Sequence, residues 1–502
     1  MNAILAIDLG TSSTRARLYE AQTGKPIEGA VSQRSHTPQT TPDGGSTLNA
    51  DSLVHEVAAC AAEAHEKAPK DCWILGVGLS CFWHSIVGVD ADRNAVTPVL
   101  LWNDRRSAGH VARLKEQQPE LPNQTGCPWH TSFVYGRLTW LREAQPDLFA
   151  KCQQFLTPAA YILRKLVGAT GESTSMASAS GLWDQTKQAW LPEWESLLPP
   201  ICDAPVSAQS SPLLPRHLAQ LPWFPPVGDG MASNLGCGAV TPERLALMIG
   251  TSGAMRVMPP AGKLPALPPG LWRYQLDLSR CALGGALTNG GSVWAWLEQT
   301  LKLSENPTPL PPDSHGLTVL PFLAGERAPL WRDDLTAAIL GISTSTTPDA
   351  LAQAHLEAVA YRFAALRDFL RPVAPEAELI GTGAGLLASP HWQQILADVL
   401  GETILVSSEE EASSRGAALW AREFLGLGTI QDAPLPEILH RITPNPAHAE
   451  TYTARRPSQD PPTPSPFLPI LGGREERGAR GDKNSLLPGL APRGYPGLGR
   501  RV

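Results

Sequence analysis

The sequence predicts an α/β protein of two related halves with a cleft between them. Three observations predict it. Short apolar runs that end in turns are interleaved with segments whose apolar residues recur at helical spacing. A strand–glycine turn–strand pattern occurs twice: residues 4–8, Gly10-Thr11-Ser12-Ser13 and 14–18, then residues 245–249, Gly250-Thr251-Ser252-Gly253 and 254–258. Finally, 502 residues are more than one simple core holds, so two or three domains are expected.

Taken in order, residues 3–8 form an apolar strand, and 14–19 alternate as a half-buried strand does. Thr23-Gly24-Lys25 turns the chain into a third strand at 29–35. Residues 51–67 carry Leu53, Val54, Val57, Ala58, Ala61 and Ala62 at helical spacing. Strands at 73–80 and 85–89 follow, then helices at 106–117, 133–143 and 158–167. After the second glycine turn come a strand at 280–287 and helices at 292–301 and 347–370. A strand at 378–381, a helix at 390–400, a strand at 403–407 and a helix at 413–425 complete the second half. The expected divisions are 1–240, 241–455 and a Pro/Gly/Arg-rich tail at 456–502. The tail has no periodic apolar face and reads as disordered, and its abrupt composition suggests a non-native reading frame or a fusion.

The totals narrow the function. An apolar fraction of 42% and a charged fraction of 18% suit a soluble protein. A net charge of -7 argues against nucleic acid as a partner. None of the eight cysteines forms a CxxC pair, so a zinc site is not expected and the compartment reads as reducing. The start MNAILAIDLG has no basic region and is interrupted by Asp8, which reads as a buried strand rather than a signal peptide. No run approaches the roughly 20 apolar residues of a membrane helix. A cytoplasmic protein is expected, monomer or homodimer, acting on a small molecule without membrane contact.

Five segments carry candidate chemistry. Asp8 ends the first strand and could hold Mg2+ through water, because hard cations favour carboxylates and retained waters. The turn after it offers backbone N–H groups and the hydroxyls of Thr11, Ser12 and Ser13 to an anion, with Arg15 adding charge. Gly250 and Thr251 lie in the matching turn, so two such loops could grip phosphates from both sides. Asp229 stands in a glycine turn, Gly228-Asp229-Gly230, where glycines permit close approach of a ligand. Phosphoryl transfer needs mostly positioning, charge neutralisation and a group to accept the hydroxyl proton, which Asp229 could be. Gly381-Thr382-Gly383-Ala384-Gly385 imitates a dinucleotide fingerprint, but Leu386 takes the third glycine position, and a shelf against an adenine ring fits better. His84, in Ser80-Cys81-Phe82-Trp83-His84-Ser85, and Trp102-Asn103-Asp104-Arg105 follow apolar strands and suit a polyol or sugar acid.

Together these segments resemble the FGGY family of carbohydrate kinases over about residues 3–450. DLGTSSTR resembles its first phosphate motif, GDGMASNLG its catalytic-base motif and LMIGTSG its second phosphate motif. Asn289-Gly290-Gly291, the run from Phe322 to Arg327, GTGAGLLASPHWQQILADVLG and SSRGAALWA resemble the C-terminal segments. The resemblance implies two actin-like, ribonuclease-H-like domains, each a mixed sheet flanked by helices. ATP with Mg2+ would lie on the second domain and the sugar on the first. It implies Asp229 as base, and Asp8 and Asp229 on the metal side. Nucleotide contacts would come from Thr11, Ser12, Ser13, Arg15, Gly250, Thr251, Gly291, Gly383 and Gly385. Sugar contacts would come from His84, Trp102, Asp104, Arg105 and Asp229.

Many xylulokinases read SGQMHG where this chain has SCFWHS; only the serine and histidine agree. TGCPWH at 125–130 and LMIGTSGAMR look more like the gluconokinase branch, so D-gluconate is the expected substrate, with Arg105 or His130 facing its carboxylate. Xylulose or another ketose or polyol is the alternative. A nucleotide switch of actin or chaperone type would share the two phosphate loops but would not need Asp229 or the His84 set.

Overall fold

Strand β1 (Asn2–Leu9) is buried along almost its whole length, because it runs down the middle of a covered sheet. It turns back through the Gly10 loop into β2 (Ser13–Glu20), which pairs with β3 (Pro26–Ser35). Strands β4 (Trp73–Cys81) and β5 (Val227–Gly228) add on the other side of β1, both parallel, giving the order β5-β4-β1-β2-β3. The computed structural model describes residues 1–262, 264–304 and 309–455, so the tail at 456–502 lies outside the described residues.

The second sheet repeats this plan. β6 (Arg244–Ile249) and β7 (Gly253–Val257) form the hairpin; β8 (Trp272–Gln275) and β9 (Cys281–Leu287) follow. β10 (Glu378–Thr382), β11 (Ile404–Ser407) and β12 (Ile438–Ile442) complete the order β8-β9-β7-β6-β10-β11-β12. The core β11-β10-β6-β7-β9 matches β5-β4-β1-β2-β3 strand for strand, with the same parallel and antiparallel senses. β8 and β12 are additions at the two edges.

Helices cover the sheets: α1 (Ala50–Glu66), α2 (Val134–Ala144), α3 (Pro158–Val167), α4 (Asp229–Gly236), α5 (Gly291–Thr300), α6 (Pro348–Leu370), α7 (Pro390–Leu400) and α8 (Ala412–Phe424). Local chemistry explains several ends. The Thr157 hydroxyl caps α3 through the Ala160 N–H, Pro158 opens the first turn, and Gly168 closes it at φ 74°. Ser389, Pro390 and Gly401 do the same for α7.

The structure corrects one local expectation. Gly228-Asp229-Gly230 is not a free turn: Gly228 ends β5 with φ −66°, and Asp229 is the first residue of α4. The glycine/alanine/serine run after it is that helix.

α4 and α8 cross backbone to backbone. A Cβ on Gly236 would lie 1.8 Å from the Ala412 carbonyl oxygen, and one on Gly416 would lie 1.8 Å from that of Ala232. α8, late in the chain, lies against β1 and β4 of the first sheet, where a Cβ on Gly78 would meet the Ala417 oxygen at 2.2 Å. The second half therefore reaches back to complete the first half's core. Glycine in a helix costs roughly 0.5–1 kcal/mol relative to alanine, so these positions are occupied for space and not for propensity. Gly416→Ala should destabilise the protein by more than about 1–3 kcal/mol, the usual cost of overpacking. Gly109→Ala, where an added Cβ meets nothing within 4 Å, should be neutral or stabilising by up to ~1 kcal/mol. Chemical denaturation of the two variants compares them directly.

Candidate active site

The two glycine loops hold the same place in their sheets, the second one residue shorter than the first, and open onto one cleft. Gly10 N–H donates to the Ser13 carbonyl and Gly250 N–H to that of Ser252, both at 2.9 Å. Thr11, Ser12, Gly250, Thr251 and Ser252 line a single cavity of about 650 Å³ with Trp102, Arg105 and Arg327. A smaller cavity of about 170 Å³ adjoins it and shares Thr11, Trp102, Ser252 and Arg327. Asp229 and His84 line the smaller one.

Asp8 sits at the end of β1 with Oδ1 buried and without a hydrogen-bond partner. Burial pushes its carboxyl up to about 7, helped by the neighbouring carboxylates Asp229 and Glu411 and opposed by Ser80 and Arg15. Such a group fits a cation that takes most of its ligands from phosphates and water, as Mg2+ does. Among the described residues no group of three His, Cys, Asp or Glu side chains converges to hold a metal alone.

Asp229 Oδ1 accepts the Gly230 N–H at 2.7 Å. Burial raises its pKa, against the pull of that N–H and of Arg256 and Arg327. The flanking glycines have a steric reason. A Cβ on Gly228 would lie 1.7 Å from Trp83 Nε1, and one on Gly230 would lie 2.6 Å from its ring. The Trp83 indole therefore lies close against the backbone on both sides of Asp229.

His84 has φ 59°, in the left-handed region. Its ring Nδ1 lies 2.6 Å from the Ala179 carbonyl, which can only accept, so Nδ1 carries the hydrogen. Burial drops its pKa to about 3, leaving a neutral ring. Nε2 is then an acceptor suited to a substrate hydroxyl.

Arg137 fixes three loops of this wall at once. It is fully buried and donates to the carbonyls of Leu101 (2.5 Å), Thr131 (3.2 Å), Ser132 (2.9 Å) and His84.

The smaller cavity draws on both halves, although the resemblance places the sugar on the first. Strand β8 is seated against first-half residues: Arg273 N–H donates to the Gly126 carbonyl at 2.9 Å, and Gln185 Nε2 to that of Arg273 at 2.7 Å. Trp183 Nε1 donates to Gln275 Oε1 at 3.0 Å. This presents Trp272 and Tyr274, stacked at 4.0 Å, with Tyr274 4.9 Å from Trp83. Asp333 bridges the halves nearby, accepting from the Thr131 hydroxyl at 2.8 Å.

Other sequence candidates stand elsewhere. Asp104 is fully buried and its carboxylate is taken by Arg106 (2.6 Å) and the Ser46 N–H (3.2 Å), so it faces neither cavity. Arg15 pairs with Glu411 at 3.0 Å, and Ser13 begins β2; neither lines a cavity. Gly291, Gly383 and Gly385 pack against the second loop from behind: added Cβ atoms would meet the Gly250 oxygen at 2.5 Å and the Ile249 oxygen at 2.4 and 3.1 Å. Arg105 lines the larger cavity and donates to the Asp333 carbonyl; His130 Nδ1 lies 2.8 Å from the Ser132 hydroxyl and Nε2 3.0 Å from Asp333. Trp83, Arg256 and Arg327 enter the sequence reading only as members of longer segments, and Arg137, Trp272 and Tyr274 not as site residues at all.

Models of the FGGY N-terminal and C-terminal carbohydrate kinase domains match residues 3–202 and 245–422. The chain belongs to the FGGY family of carbohydrate kinases. The gluconokinase of Bacillus licheniformis is 28% identical over 83% of this chain and 86% of its own length. A glycerol kinase of Cereibacter sphaeroides is 27% identical over 85% and 91%. Among solved structures, the xylulose kinase of Lactobacillus acidophilus superposes with a TM-score of 0.83 at 24% identity, covering 91% of this chain and 97% of that one. The protein is therefore a sugar kinase with the two-domain fold of this family.

Two measurements check the architecture of the site. Arg137→Met takes the donor from the Thr131, Ser132 and His84 carbonyls, while that of Leu101 keeps the Asp104 N–H; at about 1–3 kcal/mol for each group left unsatisfied, several kcal/mol of stability should be lost, seen as a fall in Tm. Gly228→Ala should cripple the enzyme by colliding with Trp83, and adding Trp83→Leu should restore part of the activity; no recovery would mean that the glycine serves something other than the indole.

Proposed function

We propose that the protein transfers the terminal phosphoryl group of ATP to a hydroxyl of D-gluconate, giving 6-phosphogluconate. The observation that carries the kinase chemistry is the place of Asp229, in a sugar-sized cavity that opens into the cleft lined by both glycine loops. The preference for gluconate rests on the gluconokinase relative and on the LMIGTSGAMR segment.

Each residue then has a task. Asp229 Oδ1 is held by the Gly230 N–H, leaving Oδ2 to accept the hydroxyl proton as the new O–P bond forms. Arg256 and Arg327 favour its ionised form. His84 Nε2 accepts from a second hydroxyl and orients the sugar. Thr11, Ser12 and Thr251 offer N–H and hydroxyl donors to the phosphates, and Gly250, its own N–H turned inward on the Ser252 carbonyl, shapes the second loop. Mg2+, held at Asp8 through water, would supply neutralisation of phosphate charge. Trp83, Trp272 and Tyr274 keep water, the competing acceptor, away from the reacting atoms. No described helix is long and apolar enough to cross a membrane. All eight cysteines are unpaired, which suits a reducing cytoplasm.

Asp229→Asn should lower kcat on the order of 10²–10⁴-fold, the usual worth of a positioned base, while calorimetry shows ATP binding nearly unchanged. Normal turnover in that variant would refute the base assignment. A coupled ADP assay across gluconate, xylulose, ribulose, glycerol and sedoheptulose should show gluconate as the preferred acceptor. Turnover of a ketose or glycerol without gluconate would sink the substrate assignment.

A further inference from the structure

We propose that Arg256 and Arg327 form a receptor for the carboxylate of a sugar acid, and that this pair makes the enzyme choose acids over neutral polyols. The proposal rests on reading the smaller cavity as the acceptor site.

Both arginines line that cavity, and both are buried, at 3% and 9% exposure. Each is anchored but not used up. Arg256 Nε donates to Asn234 Oδ1 at 2.9 Å, and Arg327 Nη2 to the Leu287 carbonyl at 2.9 Å. Arg327 also lies 4.8 Å from the centre of the Trp102 ring. Arg256 Nη2 and Arg327 Nε are buried without a hydrogen-bond partner among the described residues. A buried donor left unpaired is costly, and neither guanidinium has its hydrogen-bonding capacity filled by the described residues.

The charge of the wall agrees. Two guanidinium groups face one carboxylate, Asp229, and His84 is held neutral. The ionisable side chains of this wall therefore carry one positive charge in excess. A carboxylate cancels it and supplies two acceptor oxygens to guanidinium groups that line the cavity. A neutral polyol hydroxyl cancels nothing.

An anion here could be the substrate's carboxylate or the donor's terminal phosphate, since Arg327 also lines the larger cavity. The test separates them. Full-length wild type, Arg256→Gln, Arg327→Gln and Arg256→Lys are assayed on acid and alcohol pairs: gluconate with glucitol, and glycerate with glycerol. Tm is recorded for each variant and KM for ATP is measured alongside. Wild type should prefer the acid member of the pair it uses by at least ~100-fold in kcat/KM, as expected where a site built for a polar group meets an analogue lacking it. The Gln variants should reduce that ratio at least tenfold, mainly through KM for the acid. Arg256→Lys should recover part of it, and KM for ATP should stay within threefold. A wild-type ratio near one overturns the proposal without reference to any variant. So does an unchanged ratio in folded Gln variants, or an equal loss on both members with a raised KM for ATP, which assigns the pair to phosphate. Preference for another acid, without gluconate turnover, would sink the gluconate reading and keep this one. Gluconate turnover without acid preference would do the reverse.

Discussion

The crossing of α4 and α8 holds the architecture together. Two helices approach until each presses a backbone carbonyl against the other's glycine, Gly236 on Ala412 and Gly416 on Ala232. One of them begins with Asp229; the other follows Glu411 and carries Ser413, whose hydroxyl donates to the Asp229 carbonyl at 3.3 Å. Because α8 also covers the first sheet, Asp229, the Gly10 loop and the carboxylates beside Asp8 share one rigid frame. Close packing transmits small displacements, so the spacing at the crossing sets the spacing at the site.

Around that frame the smaller cavity is a joint product. The first half gives His84, Trp83 and Asp229. The second gives Arg256, Arg327 and the Trp272–Tyr274 stack carried on β8, a strand the duplicated plan does not require. An edge addition to one sheet has thus become part of the wall around Asp229 of the other half. Arg137 plays the matching part from within, tying three loops through their carbonyls while lining neither cavity.

What could be read in the sequence was local. Asp8, Thr11, Ser12, Gly250 and Thr251 are legible because a hairpin turn and its residues are contiguous, and because the pattern comes twice. The order of strands and helices is legible for the same reason. The partners of Asp104 were not. Arg106 stands two positions away, but the Ser46 N–H that also binds it comes from a remote strand. Gly228 and Gly230 suggest close approach of a ligand; only the position of Trp83 shows that they also make room for an indole. Arg256, Arg327 and Trp272 sit in strands or loops whose roles depend on which edges meet in space, and no local spacing encodes that.

The aromatic lining has an optical consequence. Of the chain's 15 tryptophans, Trp83, Trp102, Trp272 and Trp331 border the smaller cavity. Trp272 lies nearly coplanar over Tyr274, with 2° between the rings. Indole emission responds to the polarity around it and to nearby charges. An anion settling among these rings, or water leaving them, changes the protein's own fluorescence, and separation of the stacked pair changes its near-ultraviolet dichroism. The walls that exclude solvent thus also make occupancy of the cavity visible, with no label attached.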